Sequence, residues 1–358
     1  MNPLDKQRKL ISYQRLHFMQ HLNRRRNTAG PSLDSLALSM VDSLGETISS
    51  MSSANTSQNM SATIIDSQDS LDKQAESLYQ QGHFFLHFAT PRKPELAFTK
   101  FTAASELGSL AAKHQQAYCL QHGFGVEKNE RHAVSIYLNL SAEPKPMVAS
   151  LNQLGICYHL GVGVEVDEER ALNYYKRAAE LGNRDAMFNY AYCLRHGIGA
   201  QRDNEKAYSI YVQLAELGDL QGMKLAGNCK AGGLGTTASN EEALALFKNA
   251  SESDIYWGAK PQYALFLLNG IGTEPDHAKA FQILYETCTR WPCVSGTTKI
   301  LLGRCYHFGV GVEQDLETAS YWYERALRSY GMSMPLVEEC EFLIKDVQEK
   351  LASTRKGY

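Results

Sequence analysis

Residues 154–182 read LGICYHLGVGVEVDEERALNYYKRAAELG. Ala171 and Tyr175 stand four positions apart, so on a helix they share one face, a small contact point beside a bulky anchor. Ahead of them, Gly161-Val162-Gly163 interrupts the apolar pattern with two residues free to take left-handed backbone angles. Behind them, Ala178-Ala179-Glu180-Leu181-Gly182 ends on another glycine at a helix stop. The stretch therefore reads as the end of one helix, a tight turn, a second helix and its termination.

The same grammar recurs. Gly-x-Gly pairs begin at Gly123, Gly161, Gly197, Gly233, Gly270 and Gly309, at intervals of 38, 36, 36, 37 and 39 residues. Eight residues after each second glycine comes an alanine, at Ala133, Ala171, Ala207, Ala243, Ala280 and Ala319. Four residues later stands a large apolar residue: Tyr137, Tyr175, Tyr211, Phe247, Leu284 or Tyr323. An additional copy of this half starts at Ala97 with Phe101. This half is helix A, which Gly108, Gly182 and Gly218 close in three copies. Helix B fills the residues before the next pair. It carries Ala117, Gly155, Ala191, Gly227, Ala264 and Gly303 six positions before the pair, and Ala112, Ser150, Ala186, Gly222, Ala259 and Thr298 eleven before. A glycine in a helix interior costs about 1 kcal/mol against alanine. Its recurrence implies packing that requires it, and the expected gain is close approach of helix backbones.

A helical hairpin of this kind cannot cover its own apolar face, so neighbours must stack into a continuous core. The expected fold is all-α, a right-handed α-α superhelix, or solenoid, of stacked helical hairpins. Four regions follow: 1–70, Ser-rich and disordered behind a basic amphipathic start; 71–93, a capping helix with Leu71, Ala75, Leu78 and Tyr79; 94–330, about six repeats; and 331–358, a second capping helix and tail. In that last helix Leu336, Cys340, Leu343, Val347 and Leu351 form one stripe, with Glu338, Glu339, Lys345 and Glu349 outside it.

These residues resemble the Sel-one-like repeat (SLR), a relative of the tetratricopeptide repeat, over roughly residues 94–327. The resemblance implies an α-solenoid that scaffolds multiprotein complexes; family members regulate endoplasmic-reticulum degradation, chitin synthase activity and bacterial signalling. Cysteine-rich secreted members carry two cysteines per repeat as a disulfide, and here Cys288 with Cys305 is the one pair that resemblance would suggest. The chain departs from lumenal and secreted members in having no export signal in its first residues and no prenylation cysteine in Arg355-Lys356-Gly357-Tyr358.

Composition narrows the class. With a formal net charge of -3, 44% hydrophobic and 21% charged residues, the chain is of ordinary globular type and has no global field for a polyanion, so nucleic acid is not an expected partner. No run of about 18 apolar residues exists, and a cytoplasmic, reducing location is expected, in which the eight cysteines stay free. Residues 6–26 carry Lys6, Arg8, Lys9, Arg15 and Arg24-Arg25-Arg26 with no acid, and Ile11, Phe18, Met19 and Leu22 on one helical face. A mitochondrial presequence has this form, which makes mitochondrial location the alternative. A solvated basic tail has it too.

Candidate chemistry reduces to architecture. Cys119, Cys157, Cys193, Cys229 and Cys305 stand four residues before their glycine pairs, where the remaining copy has Phe266, so the position is a buried apolar slot. Successive copies lie a helix-packing step of roughly 8–10 Å apart, too far to share a metal. His122, His159, His196 and His307 sit just before the same glycines, where imidazoles meet the last carbonyls and the helix dipole. The glycine pairs lack the third glycine and preceding strand of a dinucleotide loop, and no Gly-x-Ser-x-Gly elbow is present. No catalytic, cofactor-binding or metal residue is assigned.

The function expected is that of a non-catalytic adaptor holding other proteins or peptides, possessing no cofactor, and of the kind that regulates a partner enzyme as the chitin synthase regulator type does. A hydrolase of the cysteine-rich type is the competing class. In related repeats helix A lines the concave face, and positions two, five and six after each marker alanine carry Asn173, Lys176, Gln213, Lys248, Gln282 and Tyr285. The insertion between Tyr285 and Thr298, with Trp291, Pro292 and Cys293, makes that copy the longest.

Overall fold

A computed structural model describes residues 59–356 apart from 90, 143–144, 254–255, 292 and 330–331, and gives the course of the backbone alone at 59–68 and 354–356. The basic segment 6–26 lies outside the described residues. Among those described there are helices and turns and no strand. In chain order the helices are α1 (Asn59–His87), α2 (Pro94–Glu106), α3 (Leu110–His122), α4 (Glu130–Ala142), α5 (Val148–Leu160), α6 (Glu168–Glu180), α7 (Arg184–His196), α8 (Asn204–Glu216), α9 (Leu220–Gly232), α10 (Asn240–Ser251), α11 (Lys260–Asn269), α12 (His277–Arg290), α13 (Gly296–Phe308), α14 (Leu316–Leu327) and α15 (Met334–Lys356). The chain divides into two compact units, one formed by 1–193 with 198–201, the other by 194–197 with 202–358. Over its described residues each is all-α and built as stacked helical hairpins of the solenoid type.

In the first unit, α5 and α6 show how the sequence closes a hairpin. Gly161 takes φ +68° and ψ +45° and its N–H donates to the Cys157 carbonyl, ending α5. The chain then crosses to Asp167, whose N–H donates to the Tyr158 carbonyl at 2.9 Å. The carboxylate of Asp167 accepts from Arg170 N–H at 2.9 Å, capping α6. Glu168 and Glu169 in the first turn and Arg177 in the last complement the helix dipole. At the far end Gly182, at φ +82°, lets Asn183 N–H reach the Ala178 carbonyl at 3.0 Å and Gly182 N–H reach Ala179 at 2.9 Å, the paired bonds that satisfy a helix C-terminus.

The buried face of α6 is Ala171, Tyr175 and Ala178. Tyr175 settles over Gly155 of α5: a Cβ built on Gly155 would lie 2.5 Å from the tyrosine ring. Gly227 receives Phe247 and Gly303 receives Tyr323 in the second unit in the same way, at 2.7 and 2.6 Å. In these three copies the glycine six before the pair thus makes room for the aromatic anchor of the following helix A, where the sequence pattern pointed to backbone approach. Backbone approach does occur at the other small position, where a Cβ on Gly222 would meet Leu214 Cβ at 2.6 Å and Ala215 N at 3.0 Å. Full burial of each such anchor is worth about 1.5–3 kcal/mol.

The first hairpin also differs from its sequence pattern. α1 is helical from Asn59, ahead of the boundary read at residue 71, and it is built as a helix B. A Cβ on its Gly82 would lie 2.6 Å from Phe101 of α2. The Ala89 N–H donates to the Phe84 carbonyl at 2.9 Å and Lys93 N–H to Phe85 at 3.1 Å. After α3, Phe124 N–H to Cys119 and Asn129 N–H to Leu120 do the same with the glycine pair present. At the other end, in the second unit, Cys340, Leu343 and Val347 of α15 are buried with Tyr323 and Ala326 of α14, and the Cys340 thiol donates to the Tyr323 carbonyl at 3.2 Å. Glu338, Glu341 and Lys345 are exposed on α15; charged groups of this kind do not receive a further aromatic anchor.

The cysteine slot is filled as its pattern requires. Cys119, Cys157, Cys193, Cys229 and Cys305 are buried, and so is Phe266 in the remaining copy. Burial pushes the Cys119, Cys157 and Cys193 thiols up to about 12. All eight cysteines are free, and Cys293 is the exposed one.

The second glycine of each pair has both a backbone and a contact reason. Gly163 has φ +70°, and a Cβ there would lie 2.4 Å from the Glu130 carbonyl oxygen. Gly182 has φ +82° with open space around the same position. Gly182→Ala is therefore expected to cost about 1 kcal/mol, from the left-handed backbone alone, and Gly163→Ala roughly 2–4 kcal/mol, from backbone plus displacement of α4. Urea unfolding followed by circular dichroism orders the two. A second test concerns the thiols: iodoacetamide at mildly alkaline pH is expected to modify Cys293 alone in the folded chain and all eight cysteines after unfolding, read by intact mass.

Candidate functional site

The A helices present the six residues singled out from the repeat register, and all six are exposed. In the first unit Asn173 and Lys176 lie on α6, one turn apart, opposite the buried Ala171, Tyr175 and Ala178. Lys176 Nζ stands 3.8 Å from Glu180 Oε1, a loose exposed pair of little energetic weight. In the second unit Gln213 is on α8, Lys248 on α10, and Gln282 and Tyr285 on α12. Gln282 Nε2 donates to Glu286 Oε1 at 3.0 Å. Tyr285, 45% exposed, stacks on Phe281 at 5.9 Å between ring centroids, and Phe281 meets Tyr306 edge-on at 5.3 Å. Within each unit the residues fall at repeated helix positions; Asn173 with Lys176, and Gln282 with Tyr285, are the pairs that share a helix.

The same register holds further surface residues. Tyr321 stands two after Ala319, is 51% exposed, and accepts from Arg325 Nη1 at 2.8 Å; the Arg325 guanidinium also lies 5.4 Å from the Trp322 ring centroid. Arg177, six after Ala171, lies 5.9 Å from the Tyr174 ring, and Tyr174 stacks nearly parallel on Tyr158 at 5.6 Å. Leu138, five after Ala133, is also exposed. The marker alanines alone would have found all three. What they do not report is the cation and aromatic pairing that gives two of them fixed positions.

Of the histidines before the glycine pairs, His307 departs from its expected role. It is fully buried. Its Nδ1 lies 3.3 Å from Tyr323 Oη, and its Nε2 3.1 Å from Asp346 Oδ2 and 3.0 Å from Lys350 Nζ. Desolvation, reinforced by the Lys350 charge and opposed by Asp346, holds its pKa below the ordinary histidine value. His307 thus ties α15 to α13 and α14 and does not serve as a surface cap. No sequence pattern could announce this, because Asp346 and Lys350 belong to the terminal helix outside the repeat. His159 Nδ1 lies 4.0 Å from the Cys193 sulfur, and His122 packs its ring on Tyr118 at 4.4 Å and on Phe124 at 5.5 Å. Among the described residues no three of His, Cys, Asp and Glu gather to hold a metal ion, and no helix is long and apolar enough to cross a membrane. The geometry is that of repeated hairpins with variable, partly charged exposed positions on invariantly packed helices.

A solved Sel1 repeat protein from Oxalobacter formigenes is similar over 70% of this chain and 98% of its own, at 23% identity and a TM-score of 0.59. A protective antigen present in uropathogenic Escherichia coli strains and displaying an SLR fold is similar over 77% of this chain and 69% of its own, at 19% identity and a TM-score of 0.44. At such identity a likeness speaks to the fold alone. No curated protein matches the chain. The Sel1 repeat itself matches at residues 102–139, 148–183, 184–219, 222–254, 262–288 and 300–329. With more than half of its residues inside these repeats, the chain belongs to the Sel1 repeat family.

Proposed function

We propose that the chain is a non-catalytic adaptor that holds partner proteins or peptides on the exposed sides of its A helices, with Asn173 and Lys176 in the first unit and Gln213, Lys248, Gln282 and Tyr285 in the second. One observation carries the reading: on the same helices whose buried side repeats its alanine and bulky anchor, the exposed side changes identity from copy to copy. Rigid presentation of varied polar, cationic and aromatic groups suits recognition of particular partners. Regulation of a partner enzyme is compatible with this mode of action. The acid-poor, basic segment 6–26 favours mitochondrial delivery of the same adaptor as the second reading, decided by the location of the tagged chain with and without that segment.

A hydrolase that used Cys288 or Cys305 as its nucleophile has their burial against it, which pushes the two thiols up to about 12 and about 11. Turnover of an ester or β-lactam by clean protein, abolished by one substitution, would reinstate it. The adaptor reading is tested by proximity labelling with the intact chain and with Lys176→Glu and Lys248→Glu. Both lysines are exposed, so helicity is expected to stay unchanged while the labelled partners fall at least several-fold. Unchanged labelling by both variants would remove this face from the proposal.

A further inference from the structure

The last turn of α13 places a titratable ring where three helices of the second unit meet. His307 is fully buried. Its Nδ1 faces Tyr323 Oη of α14, and its Nε2 faces both Asp346 Oδ2 and Lys350 Nζ of α15. Lys350 Nζ and Asp346 Oδ2 also pair with each other at 2.8 Å, with both side chains partly exposed. The Phe308 ring stacks 4.2 Å from the imidazole, and Gln314 Nε2 donates to the His307 carbonyl at 2.7 Å, fixing the turn that carries it.

The first unit shows that this position needs no charge. His307 stands two residues before Gly309, as Gln121 stands two before Gly123. Gln121 is buried, and its Oε1 accepts from the anchor Tyr137 Oη at 3.2 Å and from Gln153 Nε2 of the next helix B at 2.9 Å. A neutral amide thus meets the anchor hydroxyl and the following helix. At the junction with α15, a helix outside the repeat, the same two tasks fall to an imidazole, which titrates.

Neutral His307 can accept from Lys350 at Nε2 while Nδ1–H donates to Tyr323. A second proton turns Nε2 into a donor. Lys350 then loses its acceptor and faces a like charge at 3.0 Å, inside a site that denies the imidazolium water; Asp346 offsets part of this. Desolvation, the largest cause, and Lys350 together hold the His307 pKa below the ordinary value. The other groups of the cluster keep their charge state in this range. Arg304 of α13 stays charged and bonded to Glu339. Burial pushes the Cys305 and Cys340 thiols up to about 11 and raises the Tyr323 hydroxyl, so these stay neutral.

We infer that α15 is an acid-released end helix, freed from α13 and α14 when His307 takes up a proton. The sign follows from linkage. Docking of α15 favours the neutral ring, so its stabilisation is complete above the ordinary histidine value of about 6.5 and is lost as pH falls through the lower value of the docked state. Release uncovers Ile300, Tyr323 and Ala326, which α15 covers with Cys340, Leu343 and Val347.

Hydrogen exchange of the full chain, read by mass spectrometry and corrected for the intrinsic effect of pH, tests this. Opening of α15 is expected to rise several-fold from pH 7.5 to 5.5, with about ten-fold the limit for one group of ordinary pKa. His307→Gln, the side chain that the first unit uses, is expected to keep α15 protected at both values to within two-fold. Lys350→Met removes the opposing cation and is expected to weaken the acid response; it decides the matter if His307→Gln already opens α15 at pH 7.5. An unaltered chain whose α15 exchanges equally at both values, an acid response as large in the docked His307→Gln chain, or a full response in Lys350→Met where that variant decides, would overturn the switch. The A-helix positions take no part in it, so either result leaves the adaptor reading standing.

Discussion

The second glycine of each pair lies against the first peptide carbonyl of the preceding helix A. In the first unit Gly125 meets Pro94, Gly163 meets Glu130 and Gly199 meets Glu168; in the second Gly235 meets Asn204, Gly272 meets Asn240 and Gly311 meets His277. A Cβ at any of these positions would stand within 2.6 Å of that carbonyl oxygen, so the turn of one hairpin and the start of the hairpin before it approach to a distance that only glycine allows. This contact sets the spacing of the repeats. The first glycine, in the left-handed region, ends helix B, and the residue that caps the next helix A returns its own N–H to helix B, as Asp167 does to Tyr158. One short turn thereby ends one helix, starts the next and locates the previous hairpin.

Given that spacing, the rest of the packing follows from two slots. Where the small residue of helix B is a glycine it receives the aromatic anchor of the next helix A, and the cysteine or phenylalanine slot nearer the turn is buried in every copy. Both slots are inward, dry and indifferent to function. The side chains that differ among copies are outward, and the family's adaptability resides there: hairpins can exchange their exposed residues without touching the contacts that hold them together. Between the B helices α11 and α13 of the second unit a cleft is left open.

The ends of the described chain obey the same rules with the markers removed. α1 keeps the small residue under an aromatic ring, Gly82 under Phe101, and keeps the hydrogen bonds of the turn, yet has no glycine pair to announce it. α15 buries the stripe that its sequence displays and adds a polar anchorage through Arg304 to Glu339 and His307 to Asp346 and Lys350. A buried imidazole beside a carboxylate and an ammonium is retained where every ring nitrogen has a partner, and here those partners come from a helix outside the repeat period.

By itself the sequence determined the helical hairpins, their boundaries at the glycines, the buried anchors at Tyr137, Tyr175, Tyr211, Phe247, Leu284 and Tyr323, and the cysteine slot, because each of these is a local requirement repeated in register. Residues such as Lys176 and Tyr285 were legible as exposed positions for the same reason. Only the tertiary structure decided that Gly155, Gly227 and Gly303 hold rings, that α1 is a helix B, that His307 is locked to α15, and that a cleft opens between α11 and α13. Each of these depends on which side chain from a distant part of the chain fills, or fails to fill, a given volume, and a one-dimensional period carries no record of that.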